Sequence, residues 1–233
     1  MDKNKLKTFA IESRRQLIED TTYQANLLGI TKDGIHGPVE ESEGMQAFDI
    51  GGSKPYVIYD DDIEKRANLV KEVQDKGFEN VIEEVAYTWF NRIIAIRYME
   101  VNDYLPTRVR VLSSETRGKM EPDIIKEAFN IDLNLTNDNI QYIYKLKEEN
   151  KNDELFQFLF IKQCNKLNEI LPELFEKTQD YTELLLNIPY TNSKGIIQEL
   201  INNISEDDLK NQVEIIGWLY QFYNTELKDN TFE

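Results

Sequence analysis

Residues 80–101, NVIEEVAYTWFNRIIAIRYMEV, spell a helix that is apolar almost all the way round. At 3.6 residues per turn, Val85, Trp89, Ile93, Ile96 and Tyr98 cover one side, and Phe90, Ile94 and Met99 extend it. The polar stripe is narrow: Glu84, Thr88, Asn91, Arg92 and Ala95. A helix of this kind must be covered on nearly every side, so the rest of the chain has to wrap it. Directly behind it, past Pro106, come Arg108, Arg110, Arg117 and Lys119. They form the one clearly basic stretch of an acidic chain.

The other segments predict a mainly α fold, a multi-helix domain with a small β or irregular insert at 29–62. Residues 2–27 read as an amphipathic helix with Leu6, Phe9/Ala10, Leu17, Tyr23 and Leu27 near one face. Six of the ten glycines and two of the six prolines fall in the insert. Its best strand is PYVIY at 55–59, β-branched and aromatic between turn residues. Asp60–Asp62 precede a helix at about 63–76, with acids at its positive end and Gly77 as its stop. Pro122 suits a first helical position and predicts a helix over 121–129. Thr136–Asn139 can cap a helix at 138–149, and Asn152 or Asp153 can open one that reaches Leu171. Ser205–Asp208 has the capping-box pattern. The last helix, at about 210–227, is again apolar nearly all round.

The order and content of these segments resemble a known family. YTWFNRIIAIRYMEVNDYLPTRVRVL at 87–112, QCNKLNEILPELFE at 163–176, YTELLL at 181–186 and VEIIGWLYQFYNTELKD at 213–229 resemble the N-terminal region of PglX-type adenine-specific DNA methyltransferases of bacterial BREX phage-defence systems. The resemblance covers most of the chain from about Glu64 and, more loosely, the opening helix. It implies that 1–233 is a helical N-terminal domain, with 210–227 as the bridge to an absent catalytic domain. The Phe-Thr-Pro segment, the glycine-rich S-adenosylmethionine loop and the Asn-Pro-Pro-Tyr motif of that domain are missing here. The chain alone is therefore expected to be no enzyme, with no catalytic residues and no cofactor; S-adenosylmethionine belongs to the parent. Implied partners are the missing methyltransferase domain, duplex DNA held weakly through a local basic patch, and other BREX components.

Charge qualifies the DNA expectation. The chain carries −16 overall, but net +2 between Asp103 and Lys119 and −18 elsewhere. The DNA-backbone candidates are Arg92, Arg108, Arg110, Arg117 and Lys119, because guanidinium groups match phosphates in bidentate fashion. A charge-balanced surface loop is the competing reading of the same residues. The whole-chain charge also supports a different class of function, an acidic interaction protein that mimics DNA or competes for the partners of such a domain.

Other motifs read as structure. Asn187-Ile-Pro-Tyr190 resembles the base-gripping motif of adenine methyltransferases, but no glycine-rich loop precedes it, so it reads as a turn between helices. Gly51-Gly52-Ser53 is too short to cradle a phosphate. Asp60–Asp62 lack calcium-loop spacing, and His36 is the single histidine, so no metal site is expected. Cys164 excludes an internal disulfide and suits a reducing cytosol. The start lacks a signal-peptide core and no run reaches the ~18 apolar residues of a membrane span, so a cytoplasmic location is expected.

Arg97 falls on the apolar face of the central helix and needs a partner. Glu100 can supply it, or Arg97 points into an interface. Gly217, mid-helix and costly there by ~1 kcal/mol against alanine, suggests close backbone packing. Around it Trp218, Tyr220, Phe222 and Tyr223 are the interdomain or partner-interface candidates, and self-association through them is expected.

Overall fold

The computed structural model describes residues 2–176 and 180–225. The chain divides into two compact units, one of residues 1–15, 90–177 and 188–233, the other of residues 16–89 and 178–187. Two of the divisions fall within α1 (Lys3–Leu27) and α3 (Phe78–Val101).

Among the described residues, the strands all lie in the unit built on residues 16–89. β1 (Ile30–Thr31) and β2 (Gly34–Ile35) form a hairpin just after α1. β3 (Glu40–Ser42), β4 (Met45–Phe48) and β5 (Tyr56–Tyr59) form an antiparallel meander in the order β3-β4-β5. Gly29 makes the first turn workable: its φ is +72°, and a Cβ there would lie 2.8 Å from the His36 carbonyl oxygen. Only glycine takes that conformation at no steric cost. Arg66, buried on α2 (Asp61–Lys76), ties these pieces together. It donates to the carbonyls of Leu28 and His36 at 2.8 and 2.7 Å, and its guanidinium lies 4.2 Å from the Phe48 ring centroid. Asp61, Asp62 and Glu64 occupy the first turn of α2, and Gly77 closes it with φ +86°. α7 (Asp180–Leu184) packs on α2, and the indole of Trp89 donates to the Thr182 carbonyl at 3.1 Å.

The other unit has helices and loops but no strand among the described residues. It contains α4 (Asp123–Lys126), α5 (Asn137–Glu148), α6 (Asn152–Leu167), α8 (Ile196–Asn203), α9 (Glu206–Leu209) and α10 (Glu214–Tyr223). α4 and α5 both pack on α6. Phe90 lies at the centre of a ring cluster with Phe9, Tyr220 and Tyr223, at centroid distances of 6.5, 6.4 and 4.5 Å. Thr136 and Asn139 form the reciprocal capping box at the start of α5. Ser205 caps α9 by accepting from the Asp208 amide.

Several local expectations need correction. Tyr23 is 58% exposed; the buried face of α1 in that half runs through Leu17, Thr21 and Ala25 instead, and continues to Leu28 in the turn that follows. That spacing of four, four and three tracks the helix better than the step of six from Leu17 to Tyr23. The polar stripe of α3 stops at Asn91, because Arg92 and Ala95 are buried. The helix expected over 121–129 shrinks to α4, with Pro122 at its cap and turns beyond Lys126. α6 stops at Leu167, four residues early, where Asn168 turns back to bond the Phe175 carbonyl at 2.7 Å. The final helix starts only at Glu214, since Asn211 takes φ 56° and its amide bonds the Asn102 side chain. Residues 226 and 227 of the expected helix lie outside the described residues. A Cβ on Gly217 would meet nothing within 4 Å, so close backbone packing does not account for it. Among the described residues, no helix is long and apolar enough to cross a membrane.

Candidate nucleic-acid interface

The basic stretch behind α3 is a long loop, residues 102–122, without helix or strand. Loops of that length in a compact fold carry a function or lack order. This one is fixed in place by a buried carboxylate. Glu100, 2% exposed, accepts from the amides of Val111 and Leu112 at 2.8 and 2.9 Å through Oε2. Its Oε1 accepts from Arg97 Nη1 at 2.7 Å and from the Ser113 hydroxyl at 2.9 Å. Every lone pair is used, as a buried charge requires. Arg97, also 2% exposed, additionally donates to Ser113 Oγ at 3.0 Å.

Arg110 extends this network toward the surface. Its two terminal nitrogens each donate to one oxygen of Glu206, the first residue of α9, with Nη2 to Oε2 at 3.2 Å. Arg97 Nη2 lies 3.5 Å from the same carboxylate. The bonds from Arg110 hold the Glu206 carboxyl below its usual range, against the opposing effect of partial burial. Asp123 holds the far end of the loop through the Ser114 hydroxyl and the Glu115 amide, at 2.6 and 2.8 Å. Asn102 ties its beginning to the Leu209 carbonyl at 3.1 Å.

The five sequence candidates for DNA contact therefore differ in kind. Arg92 is 4% exposed and donates to the Glu176 carbonyl at 2.6 Å. Arg110 is engaged with Glu206. Arg108, Arg117 and Lys119 are exposed, Lys119 beside Glu121 at 3.0 Å. Arg108 has φ 53°, unusual for a side chain of its size. It lines a recess of about 10 Å³, room for roughly one water molecule, with Glu100, Asp103, Arg110 and Glu115. Glu206, ninety-six residues from Arg110 in the chain, is the member of this cluster that sequence reasoning missed. No local pattern links them.

The interface candidates also divide. Arg97 is buried and paired with Glu100. Tyr223 is buried against Phe90, and the Tyr220 hydroxyl donates to the Asn91 carbonyl at 3.2 Å. Trp218 is half-buried with Lys3 Nζ 4.2 Å above its ring, and Phe222 is half-buried.

Methyltransferase-like features are placed differently. Tyr190 is buried edge-on to Phe156 at 5.6 Å, and its carbonyl accepts from Gln198 at 3.0 Å, so its ring offers no stacking face. Among the described residues the passage from strand to helix runs from β5 through Asp60, φ 45°, into α2. A cofactor cradle of the Gly-rich kind needs glycine at that turn. Gly51–Ser53 form an exposed bend. No group of three or more metal-ligating side chains comes together among the described residues.

No protein-family model matches the chain. Two curated proteins match along nearly all of it. One is the adenine-specific methyltransferase PglX of Lacticaseibacillus casei (strain Zhang), 47% identical across 100% of this chain. The other is the adenine-specific methyltransferase BrxX of Escherichia coli O9:H4 (strain HS), 36% identical across 98%. The chain corresponds to the N-terminal region of a PglX-type adenine-specific methyltransferase. It spans only about a fifth of the length of these relatives, 20% and 19%. The pinned loop, with Arg108, Arg117 and Lys119 exposed, lies within this matched region.

Proposed function

We propose that this chain is a docking region of a cytoplasmic, PglX-type DNA methyltransferase in phage defence. It holds the duplex backbone and anchors the parts of the enzyme that transfer a methyl group from S-adenosylmethionine to adenine. The observation that carries this reading is the outward set Arg108, Arg117 and Lys119 on a loop whose backbone Glu100 fixes from beneath. A preset cationic loop can contact phosphates without ordering itself first. Backbone contacts position a protein on the duplex and carry no base information.

Anisotropy of a labelled duplex tests it. The expected result is weak, sequence-independent binding, on the order of 10–100 µM at physiological salt, lost when Arg108 and Arg117 are reversed to Glu. Tight, sequence-selective binding, or binding that ignores both reversals, overturns it.

A second reading has its own observation. Glu40, Glu41 and Glu43 are exposed along the edge strand β3 and its turn, which suits an acidic surface that competes with DNA for a partner. Charge reversal of these glutamates would then abolish partner capture and leave duplex binding unchanged.

A further inference from the structure

We propose that the Glu206 carboxylate occupies an anion subsite for a DNA phosphodiester, and that duplex binding displaces it. The inference rests on the DNA-backbone reading above and adds how that loop is regulated.

Arg110 grips Glu206 through both terminal nitrogens, and Arg97 Nη2 approaches the same oxygen at 3.5 Å. Two guanidinium groups therefore share one anionic group. A guanidinium fork fits a phosphate in the same bidentate way as a carboxylate.

The two carboxylates of the network differ in their freedom to leave. Glu100 is sealed, its side chain 0% exposed and its four bonds including two to the loop backbone. Glu206 has a 38% exposed side chain on a four-residue helix. α9 is separately tied through Leu209 to Asn102, so the Glu206 side chain can swing away while the helix stays. Without that carboxylate, Arg97 and Arg110 face Glu100 alone and carry a net charge of +1. An incoming anion restores the balance. Arg108, in the adjoining recess, offers a contact to a neighbouring phosphate, whereas Asp103 and Glu115 there oppose it. The latched loop is thus held at low affinity.

Anisotropy with a generic duplex tests this, using wild type, Glu206→Gln, Glu206→Asp and Glu115→Gln. Glu206→Gln and Glu115→Gln change the net charge equally. The latch requires Glu206→Gln to tighten binding by about tenfold and to steepen the salt dependence by about one released counterion. Glu115→Gln gains much less. Glu206→Asp keeps the charge but shortens the reach to Arg110, and gains part of the effect. Adding Arg110→Gln to Glu206→Gln abolishes the gain. Inorganic phosphate should also raise the melting temperature of Glu206→Gln more than that of Glu115→Gln, because it binds the vacated site.

Equal gains in Glu206→Gln and Glu115→Gln, with wild-type binding still dependent on Arg108 and Arg117, overturn the latch and leave the DNA reading standing. No duplex binding by any variant overturns both. Selective stabilisation by phosphate with no gain on duplex also overturns it, since it marks a site for a free anion.

Discussion

Arg97 Nη1 lies 2.7 Å from Glu100 Oε1, one helical turn away and almost wholly out of solvent. The pair neutralises a charge that the apolar end of α3 could not otherwise bury. Breaking a buried pair by removing one partner costs about 3–5 kcal/mol, because the other charge remains. We expect Glu100→Gln to lose ~3 kcal/mol, and Arg97→Met in that background to recover part of it. A double-mutant cycle by urea unfolding should give coupling on the order of 2 kcal/mol. Additive losses would show that the two residues act separately.

Asp20 gives the chain an unusual pH response. Burial, reinforced by Glu19, pushes its carboxyl up to about 6. The folded value lies above the ordinary 3.8, so the ionised form is disfavoured in the folded state. The resulting loss of stability is fully present above about pH 6 and is relieved as pH falls toward 3.8. Asp20→Asn should therefore stabilise by about 1 kcal/mol at neutral pH, after allowance for its partial exposure. Unfolding midpoints should converge with wild type near about pH 4. A gain that persists undiminished at acid pH would assign the effect to packing.

Gly217 sits within α10 with open space where a side chain would be. Alanine there should raise stability by up to ~1 kcal/mol through helix propensity alone. The melting temperature of Gly217→Ala checks this. A drop would mean that the position contacts something in solution after all.

Calorimetry at micromolar S-adenosylmethionine should give no stoichiometric heat with this chain. The buried ring of Tyr190 and the glycine-free turn at Asp60 both point that way. A specific heat abolished by Tyr190→Ala would return the Asn187–Tyr190 segment to consideration.

Much of the fold was legible because its signals are local. Apolar periodicity marked α3, turn chemistry bounded the strand at Tyr56–Tyr59, and Thr136 with Asn139 announced their own cap. Errors arose where a distant group decided the outcome. α6 gives way to turns from Asn168, whose side chain bonds the Phe175 carbonyl, and Asn102 bonds the turn that precedes α10. The candidate site divides likewise. Arg97 and Glu100 could be paired from their spacing, whereas Arg92 and Arg110 looked like neighbours of Arg108 until Glu176 and Glu206 supplied their partners. Sequence shows that an arginine is present; the tertiary fold decides whether its charge is spent.

The carboxylate of Glu100 ties together the side chains of Arg97 and Ser113 and the peptide groups eleven and twelve residues downstream. Such a knot has an evolutionary consequence. Replacing Glu100 alone strands Arg97, and replacing Ser113 alone removes a hydroxyl that both charged groups share. Drift at these three positions is therefore expected to proceed in concert, whereas Arg108, Arg117 and Lys119 can be exchanged one at a time. Among divergent relatives, the joint substitution pattern at 97, 100 and 113 should distinguish chains that keep this loop geometry from chains that have rebuilt it.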